Sequence, residues 1–350
     1  MNTAWRRPGE LGPDDVRVLL ACSVADEECR KRLFAAADEV RRRYVGDEVH
    51  LRGIIEFSNH CVRNCHYCGL RAQNRSLPRY RMTEDQIVAV AEAATHLGYI
   101  GTIVLQSGED PAYDGPTLAG VIRKIKKRTG LAVTVSVGDR PREDYALWRE
   151  AGADRYLLKH ETADAELFRR LRPGTTLDGR LRCLRDLRDL GYQVGSGNMV
   201  GLPGQTLSTL VDDLLLLRDL DVEMAGIGPF IPHPETPLAS APAGSVDLTL
   251  CVLAVARLVL PWAHLPATTA LATADHDGRR RALLSGANVV MPNVGPTEYR
   301  HLYQIYPGKA AIDEDAMTYV KHVVEMIDSL GRTVGKGAGH SRKPAFTPRS

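Results

Sequence analysis

Three cysteines lie within eight residues of this chain, and their spacing constrains the chain more than any other feature of its sequence. They are Cys61, Cys65 and Cys68, spaced C-x3-C-x2-C, and they follow an apolar, strand-like run over residues 50–57. Clustered thiolates bind metal, and a cubane of four irons normally takes four of them. Three ligands would leave one iron open to an external ligand, as catalytic zinc sites keep an open position. The spacing therefore favours an iron–sulfur cluster that takes part in chemistry.

Zinc binding and disulfide formation are the alternatives for these three thiols. A zinc site usually shows two C-x2-C or Cys/His pairs, whereas this region has one C-x2-C, with His60 and His66 as the nearest candidates for a fourth ligand. A disulfide with a spare thiol suits a small secreted domain, but this chain has 350 residues and no apolar signal core over residues 1–8. Both alternatives are weaker than an iron–sulfur cluster.

The composition gives little sign of a macromolecular partner. The formal net charge is +2, and neither a basic cluster nor an aromatic–basic stripe suggests nucleic acid. The most apolar stretch, residues 249–265, is broken by Arg257 and Pro261 well short of a bilayer span. We therefore predict a cytoplasmic protein that binds neither nucleic acid nor membrane.

The remaining cysteines are scattered, which is typical of reduced, buried thiols in a reducing compartment. They are Cys22, Cys29, Cys183 and Cys251. Cys22 and Cys29 are seven residues apart on a predicted helix, so they share one face, and packing explains them better than metal ligation.

From about residue 49 onward, short β-rich runs alternate with amphipathic helices, which predicts a parallel sheet with helical crossovers. Eight units over about 250 residues fit a single (β/α)8 TIM-type barrel of the α/β class, with an open or partial barrel as the alternative. The β-rich runs cover residues 50–57, 101–106, 131–137, 153–159, 192–199, 224–230, 264–270 and 287–292. Helical patterns between them include residues 84–97, 177–190, 207–220 and 246–259.

We divide the chain into four parts on these patterns. Residues 1–48 form an N-terminal helical extension, with one helix beginning near Pro13 and another over residues 25–44. The barrel follows over residues 49–310, and a C-terminal helix occupies residues 311–334. Residues 335–350 are basic and contain glycine and proline, so we expect a loosely held surface tail.

Active sites of such barrels gather where strands end and the following loops begin. Glycine or polar residues follow all eight β-rich runs, including residues 106–110, 136–139 and 159–162. The cysteines follow the first run. The sequence therefore predicts one site at the carboxyl ends of the strands.

The cysteine motif, with Tyr67 directly before its last cysteine, resembles the signature of the radical S-adenosylmethionine (SAM) superfamily. This resemblance implies a 4Fe-4S cluster held by Cys61, Cys65 and Cys68, whose open iron is chelated by the amino and carboxylate groups of SAM. It also implies that one electron from the reduced cluster cleaves SAM to methionine and a 5'-deoxyadenosyl radical.

Longer blocks over about residues 45–310 resemble the HydE maturase family of the FeFe hydrogenases more than methylornithine synthase or biotin synthase, which share the barrel and the motif. These blocks read HLRGIIEFSNHCVRNCHYCGLR, RYRMT, TIVLQSGED, GADRYLLKHET, MVGLPGQT, GIGPFIPHPETPLA, PATTALAT and GANVVMPNVGPTEYRHLYQIYPGK. The family implies a complete barrel with the cluster and SAM at its mouth and a large cavity inside, which would shield a radical from water.

The resemblance implies a substrate that is a small organometallic iron precursor carrying carbon monoxide, cyanide and cysteine, on the way to the di-iron subsite of the H-cluster. It also implies a one-electron reductant and, as partners, a maturation scaffold and other maturases. The alternative enzymes are of the methylornithine synthase or biotin synthase type, acting on an amino acid or small organic substrate. A carrier that delivers an iron–sulfur unit without radical chemistry is the alternative from another class.

The candidate SAM-binding residues lie at strand ends. The amides around Gly108, together with Ser107, could hold the methionyl amine and carboxylate, while Glu161 could bind a ribose hydroxyl or the amine and Arg180 the carboxylate. The alternative for the segment around Gly108 is a solvated turn, and the alternative for Arg180 is a charge on a helix surface. The full set is Tyr67, Gln106, Ser107, Gly108, Glu109, Ser136, Glu161, Arg180 and Met199.

The candidate substrate residues include two cations, Arg155 and Lys159, whose period-two spacing places them on the same side of one strand. If that side faces the closed lumen, the two cations would need an anion there. The alternative is that they point outward and form salt bridges. Tyr303 and Tyr306 share a face of a short predicted helix, where they could instead cap the barrel. The full set is Thr134, Arg155, Lys159, Met224, Thr268, Thr269, Met291, Tyr303 and Tyr306.

Two features depart from the family pattern. The position of Lys159 more often holds arginine in the family. The ammonium of lysine, a point charge, therefore stands where a planar guanidinium would make a bidentate contact. Some members bind a second iron–sulfur cluster through cysteines after the YPGK block, whereas residues 309–350 contain no cysteine. The resemblance therefore predicts one cluster here.

Overall fold

The structure is a computed structural model that describes residues 7–344. Its strands are β1 Glu48–Ser58, β2 Ile100–Ser107, β3 Ala132–Ser136, β4 Arg155–Leu157, β5 Gln193–Ser196, β6 Met199–Val200, β7 Met224–Ala225, β8 Gly228–Pro229, β9 Val289–Val290 and β10 Thr333–Val334. Its helices are α1 Pro13–Ala25, α2 Glu27–Val45, α3 Glu84–Thr95, α4 Gly115–Thr129, α5 Arg142–Glu150, α6 Ala165–Leu171, α7 Leu177–Asp189, α8 Leu207–Asp219, α9 Val246–Val259, α10 Thr269–Ala274, α11 Gly278–Leu284, α12 Thr297–Arg300 and α13 Ala316–Ser329.

A ring of parallel pairings forms the centre of the fold. Continuous ladders join β1, β2, β3, β4, β5 and β7 in that order, and β9 pairs with β1. Single bridges from Met224 to His264 and from Pro266 to Val289 complete the ring. The predicted α/β barrel of the TIM type is therefore confirmed, with ladders on one side and short bridges on the other.

Local sequence explains where most crossover helices begin. Each N-cap side chain accepts a hydrogen bond from the N–H three residues later, which satisfies one of the orphan donors of the first turn. These caps are Thr83, Asp114, Thr176, Thr206 and Ser245. The predicted helices over residues 84–97, 177–190, 207–220 and 246–259 agree with α3, α7, α8 and α9 to within two residues.

The strand prediction is wrong in detail at three places. The run over 192–199 is divided into β5 and β6 at Gly197, where a Cβ would lie 2.1 Å from the carbonyl oxygen of Gly226. The run over 224–230 is likewise divided into β7 and β8, and the short strands β6 and β8 pair with each other. Residues 264–270 contribute isolated bridges and then α10 in place of a strand.

The most apolar stretch of the chain is a core helix. Every residue of α9 from Thr249 to Val259 is buried, because α1 and α2 pack over the face that points away from the barrel. No helix within residues 7–344 is long and apolar enough to span a bilayer.

The expectation that the scattered cysteines are all reduced is wrong for one pair. Cys22 at the end of α1 and Cys29 in α2 form a disulfide, with their Cα atoms 6.0 Å apart. The helix pattern missed this because the chain turns between α1 and α2, which brings the two residues face to face. Cys183 and Cys251 are free.

The C-terminal segment is not loosely held at the surface as far as residue 344. Residues 335–341 run across the floor of the barrel, where the guanidinium of Arg155 donates to the carbonyl of Ala338 at 2.7 Å and that of Arg52 to the carbonyl of Gly339 at 3.3 Å. Both arginines are buried. The glycine-rich composition that suggested a mobile tail instead lets the backbone enter a narrow space. The residues of the predicted tail beyond 344 lie outside the described part.

Candidate active site at the carboxyl ends of the strands

One cavity of about 350 Å³ occupies the mouth and upper lumen of the barrel. The loop after β1, residues 59–80, forms part of its wall and brings Cys61, Cys65 and Cys68 to it. Arg79 holds this loop in shape because its guanidinium donates to four of the loop's own carbonyls, those of Asn59, Leu70, Arg71 and Asn74. We call residues 59–80 the cluster loop.

The three cysteines supply thiol donors of the kind that a cubane takes, and all three lie on the cavity wall. All three are free, Cys65 is buried, and Cys61 and Cys68 are half-buried. Within residues 7–344, no three Cys, His, Asp or Glu side chains converge closely enough to hold a single metal ion. A cubane does not need such convergence, since each thiolate binds a different iron. The thiol donor set of this loop therefore fits a cluster.

Burial raises the pKa of all three thiols. Opposing this, the N–H groups of Arg63 and Glu109 donate to Sγ of Cys61, at 3.5 and 3.4 Å. Neutral thiols are thus favoured in the protein alone, and a bound cationic centre would deprotonate them on ligation.

The end of β2 lies against the cluster loop, and Gln106, Ser107, Gly108 and Glu109 all line the cavity. A Cβ on Gly108 would lie 2.2 Å from the carbonyl oxygen of His60 and 2.8 Å from Cβ of Cys61. Glycine is therefore required for the close approach of the two segments. Ser107 donates to the carbonyl of Gly108 at 2.7 Å, which turns its hydroxyl back onto the loop.

Two cations of the site were missed by the sequence analysis. Arg172, just after α6, pairs with Glu109 at 3.3 Å and donates to the hydroxyl of Tyr67 at 3.0 Å, and Arg63 pairs with the other carboxylate oxygen of Glu109. All four side chains line the cavity. These partners lie 46 to 105 residues apart in the chain, so no local spacing could have revealed them.

The third and fourth strand ends supply a second group of charges. Arg180 lies 2.9 Å from Oδ1 of Asp139 and donates to the carbonyl of Lys159, so its planar fork already has partners. The ammonium of Lys159 lies 3.8 Å from Oε2 of Glu161. Glu161 has φ of 67°, a left-handed conformation that is uncommon outside glycine and is often found at functional sites.

The other candidate SAM contacts also line this cavity: Tyr67, Ser136 and Met199. Tyr67 packs against the buried cluster of Leu167, Leu171, Leu202 and Phe230, and burial raises the pKa of its hydroxyl. An aromatic face thus lies beside the cysteines.

Six of the nine candidate substrate residues line the cavity: Lys159, Thr268, Thr269, Met291, Tyr303 and Tyr306. The two tyrosines are not on a helix, because α12 ends at Arg300 and the chain continues as an irregular loop. Lys309 of the same loop lies 5.1 Å from the centre of the Tyr303 ring.

Thr134, Arg155 and Met224 are not among the residues that line this cavity. They form a lower layer of the lumen, in which Thr134 pairs with Arg155 across β3 and β4. Arg155 is occupied by the C-terminal segment, and Sδ of Met224 lies 2.9 Å from a guanidinium nitrogen of Arg52. The expectation that Arg155 faces an anion is wrong, since its partners include the carbonyls of Ala338 and Gly339.

A buried ion pair that the sequence analysis missed closes the far wall. Lys309 Nζ lies 2.6 Å from Oε1 of Glu56, and Asn293 donates to the same carboxylate at 2.7 Å. Both members of the pair line the cavity. Desolvation raises the pKa of Glu56, while Lys309 and Asn293 act against that shift.

Comparison with known proteins gives consistent results. The family model of the radical SAM superfamily matches residues 55–217. FeFe hydrogenase maturase subunit HydE of Thermotoga maritima is 53% identical over 326 residues, which is 93% of this chain and 93% of that protein. 3-Methylornithine synthase of Methanosarcina barkeri is 32% identical over 327 residues, covering 92% of this chain and 90% of that protein.

Solved structures agree in fold. The crystal structure of methylornithine synthase superimposes with a TM-score of 0.81 at 28% identity, covering 93% of this chain and 94% of that one. The FeFe-hydrogenase maturase HydG gives a TM-score of 0.78 at 19% identity, covering 94% of this chain and 73% of that one, a likeness of fold alone.

Proposed function

Because this chain belongs to the HydE family of FeFe hydrogenase maturases, within the radical SAM superfamily, we propose that it works on a small organometallic iron precursor in its barrel. It is a radical SAM enzyme of the HydE type, and the family implies a 4Fe-4S cluster and SAM as its cofactors.

Cys61, Cys65 and Cys68 are the proposed ligands of the cluster. The observation that carries this assignment is that three free thiols of one loop lie on the wall of the same cavity as the β2 end and the lumen. When bound, the reduced cluster supplies the electron that cleaves SAM to methionine and a 5'-deoxyadenosyl radical. The cluster loop keeps the three thiols in position through the carbonyl contacts of Arg79.

The methionyl group of SAM is proposed to bind between the β2 end and the charges of Arg172 and Glu161. The N–H groups of Gly108 and Glu109 already donate to the carbonyl of Ser58 and to Sγ of Cys61, so the carbonyl groups of this turn would accept from the amine of SAM. Glu161 would accept from the same amine or from the ribose. Ser136 and Met199 would contact the rest of the molecule. Arg180 remains a candidate contact, but its ion pair with Asp139 favours a positioning role.

The substrate is proposed to lie deeper, among Lys159, Thr268, Thr269, Met291 and Tyr303. The ammonium of Lys159 supplies a positive charge for an anionic cyanide-bearing complex, and the two threonines supply hydroxyl groups. The apolar walls exclude water, which protects a radical from side reactions. Delivery of the product would require the maturation scaffold and partner maturases that the family implies.

An enzyme of the methylornithine synthase type is the second candidate, favoured by 32% identity over 92% of the chain and by the TM-score of 0.81. Such an enzyme needs groups for the ammonium and carboxylate of an amino acid, and Glu161 and Lys159 could supply them. The higher identity to HydE, 53% over 93% of the chain, favours the organometallic substrate.

The experiment is a substrate comparison under anaerobic conditions. The reconstituted, reduced protein receives SAM with either lysine or a cysteine-bound iron carbonyl–cyanide complex, and 5'-deoxyadenosine is measured. We expect the iron complex, and not lysine, to stimulate its formation. Stimulation by lysine alone would favour the amino-acid enzyme, and failure of a loaded protein to bind SAM in calorimetry would favour the carrier.

A further inference from the structure

The surface of the cluster loop is strongly basic although the chain as a whole is nearly neutral. Residues 57–83 contain five arginines, two histidines and no aspartate or glutamate, while the formal net charge of the chain is +2. Two of these arginines are neutralised from outside the segment, since Arg63 pairs with Glu109 and Arg81 with Asp110. Arg71, Arg75 and Arg79 have no carboxylate partner within residues 7–344.

Arg71 and Arg75 lie beside the cysteines. The segment from Arg71 to Gln73 runs along residues 63–64, because Ala72 N–H donates to the carbonyl of Arg63 and Gln73 N–H to the side chain of Asn64. Arg75 is exposed, and its side chain makes no hydrogen bond or ion pair in the part of the chain that the structure describes. We call Arg71 and Arg75 the cationic rim.

An exposed apolar residue lies next to the cationic rim. Val62, between the first cysteine and Arg63, is 53% exposed, although most large apolar side chains of this protein are buried. On the neighbouring segment, Arg170 is exposed and lacks a carboxylate partner among the described residues. Among the carboxylates of the neighbouring segments, Glu166 pairs with Arg169, and Asp164, Glu235 and Glu298 are also exposed.

From this arrangement we infer that the cationic rim and Val62 form the docking surface for a small acidic one-electron carrier protein. The inference rests on the proposed function, because only a cluster held by these cysteines would need the electron. The carrier is oxidised by one electron and the cluster is reduced by one. A positive patch around a redox centre raises the rate of encounter with an acidic partner, and redox encounters typically use small interfaces.

The test uses flavodoxin as the acidic carrier and the reconstituted full-length protein. The rim variant carries Arg71→Glu with Arg75→Glu, and the matched control carries Arg42→Glu with Arg43→Glu. Those two arginines are exposed near the end of α2, at the opposite end of β1 and about 30 Å away by strand length. Both double variants change the net charge equally, so only the position of the charge differs.

The first readout is the Kd of oxidised flavodoxin, measured by calorimetry. We expect the rim variant to weaken binding about tenfold at low ionic strength, and the control less than twofold, with the difference shrinking near 0.5 M salt because of screening. Arg75→Glu alone should give an intermediate loss, which keeps the test valid if the double change disturbs the loop. Equal Kd values for the rim and control variants would overturn the inference.

The second readout separates this inference from the proposed function. With reduced flavodoxin the rim variant should cleave SAM more slowly than the control, whereas with dithionite, a small reductant, both should match the unaltered protein. If flavodoxin-driven and dithionite-driven rates fell together, the rim would be structural and the docking inference would be wrong. If the unaltered, loaded protein cleaved no SAM with either reductant, the proposed function itself would fail.

Discussion

Nη2 of Arg172 lies 3.3 Å from Oε1 of Glu109, and both side chains are more than nine-tenths buried. The carboxylate of Glu109 therefore lies between two guanidinium groups, since Arg63 occupies its other oxygen. Burial acts to lower the pKa of Arg172, but the carboxylates of Glu161 and Glu109 act to raise it, and the pKa lies above its ordinary value. This pair joins the β2 end, the cluster loop and α6 into one wall.

Replacement of Arg172 by leucine should damage both stability and SAM binding. The change leaves Glu109 as a buried carboxylate with only the half-buried Arg63, and breaking such a pair costs about 3–5 kcal/mol. We expect a loss of that size in the free energy of unfolding in urea, and SAM binding at least about tenfold weaker in calorimetry. The control is Arg169→Leu, which removes an exposed, solvent-screened pair with Glu166 and should leave the free energy of unfolding nearly unchanged. Equal losses in the two variants would contradict this role.

Alanine substitutions at two glycines of the C-terminal segment test whether this segment lies in the barrel floor. The two glycines have similar backbone conformations. Gly337 has φ of 72° and open space around its Cβ position, whereas Gly339 has φ of 54° and a Cβ there would lie 2.7 Å from Cγ of His50. Alanine at either position should lower the free energy of unfolding by about 1–2 kcal/mol, because a residue with a Cβ is strained in the left-handed backbone conformation. Only Gly339→Ala also forces the His50 ring to move, so we expect it to cost about 1–3 kcal/mol more in thermal unfolding. Equal costs would mean that residues 335–341 do not occupy the floor.

His50 should make the stability depend on pH. Burial and the charges of Arg52, Arg342, Arg155 and Arg332 lower the pKa of His50 to about 4, from an ordinary value of about 6.5. The unfolded chain then binds more protons at His50 than the fold does between these values, so the contribution of His50 to the free energy of unfolding is constant above about pH 6.5 and is lost towards pH 4. The full loss is about 3 kcal/mol.

Urea unfolding at several pH values measures this dependence. His50→Gln should reduce the slope of the curve between pH 6.5 and 4, where His264, whose pKa burial also lowers, still contributes. His276→Gln, at an exposed position, should leave the slope unchanged. A curve of equal slope in His50→Gln would assign the dependence to other groups.

Replacement of Lys159 should weaken substrate binding more than SAM binding. Its ammonium is the cavity cation closest to Glu161, at 3.8 Å from Oε2, and it lies among the candidate substrate residues. We expect Lys159→Met to raise the KM for the iron complex about tenfold, while the Kd of SAM changes less than twofold, because the positive charge is removed from the substrate end of the cavity. Lys159→Arg should retain activity, and Lys126→Met, which removes an ion pair with Asp154, serves as the control. A loss confined to SAM affinity would place Lys159 in the SAM site.

The sequence predicted those parts of the molecule that local patterns determine. The alternation of short strands and amphipathic helices predicted the barrel, and the position of Cys61, Cys65 and Cys68 after the first strand predicted which end carries the site. The caps at Thr83 and Asp114 show why helix boundaries could be read so closely.

Contacts between distant segments could not be predicted in this way. A period of two places Thr134 and Ser136, or Arg155 and Leu157, on the same side of a strand, but it does not say which layer of the lumen each reaches. In the structure Ser136 and Leu157 line the cavity. The partners of Arg172 and Arg155 come from other parts of the chain, and the entry of residues 335–341 into the floor depends on the shape of the finished barrel.

The measurement that tests the central claim most directly is SAM cleavage by the reconstituted protein under anaerobic reduction, with Cys65→Ala and Cys183→Ala compared. Cys183 is a free thiol that is not among the residues lining the cavity, so its loss should leave iron content and 5'-deoxyadenosine formation unchanged. We predict that Cys65→Ala loses cleavage by at least about a hundredfold, because a cubane would lose one of its three protein ligands. Cleavage by Cys65→Ala at the rate of the unaltered protein would contradict the account.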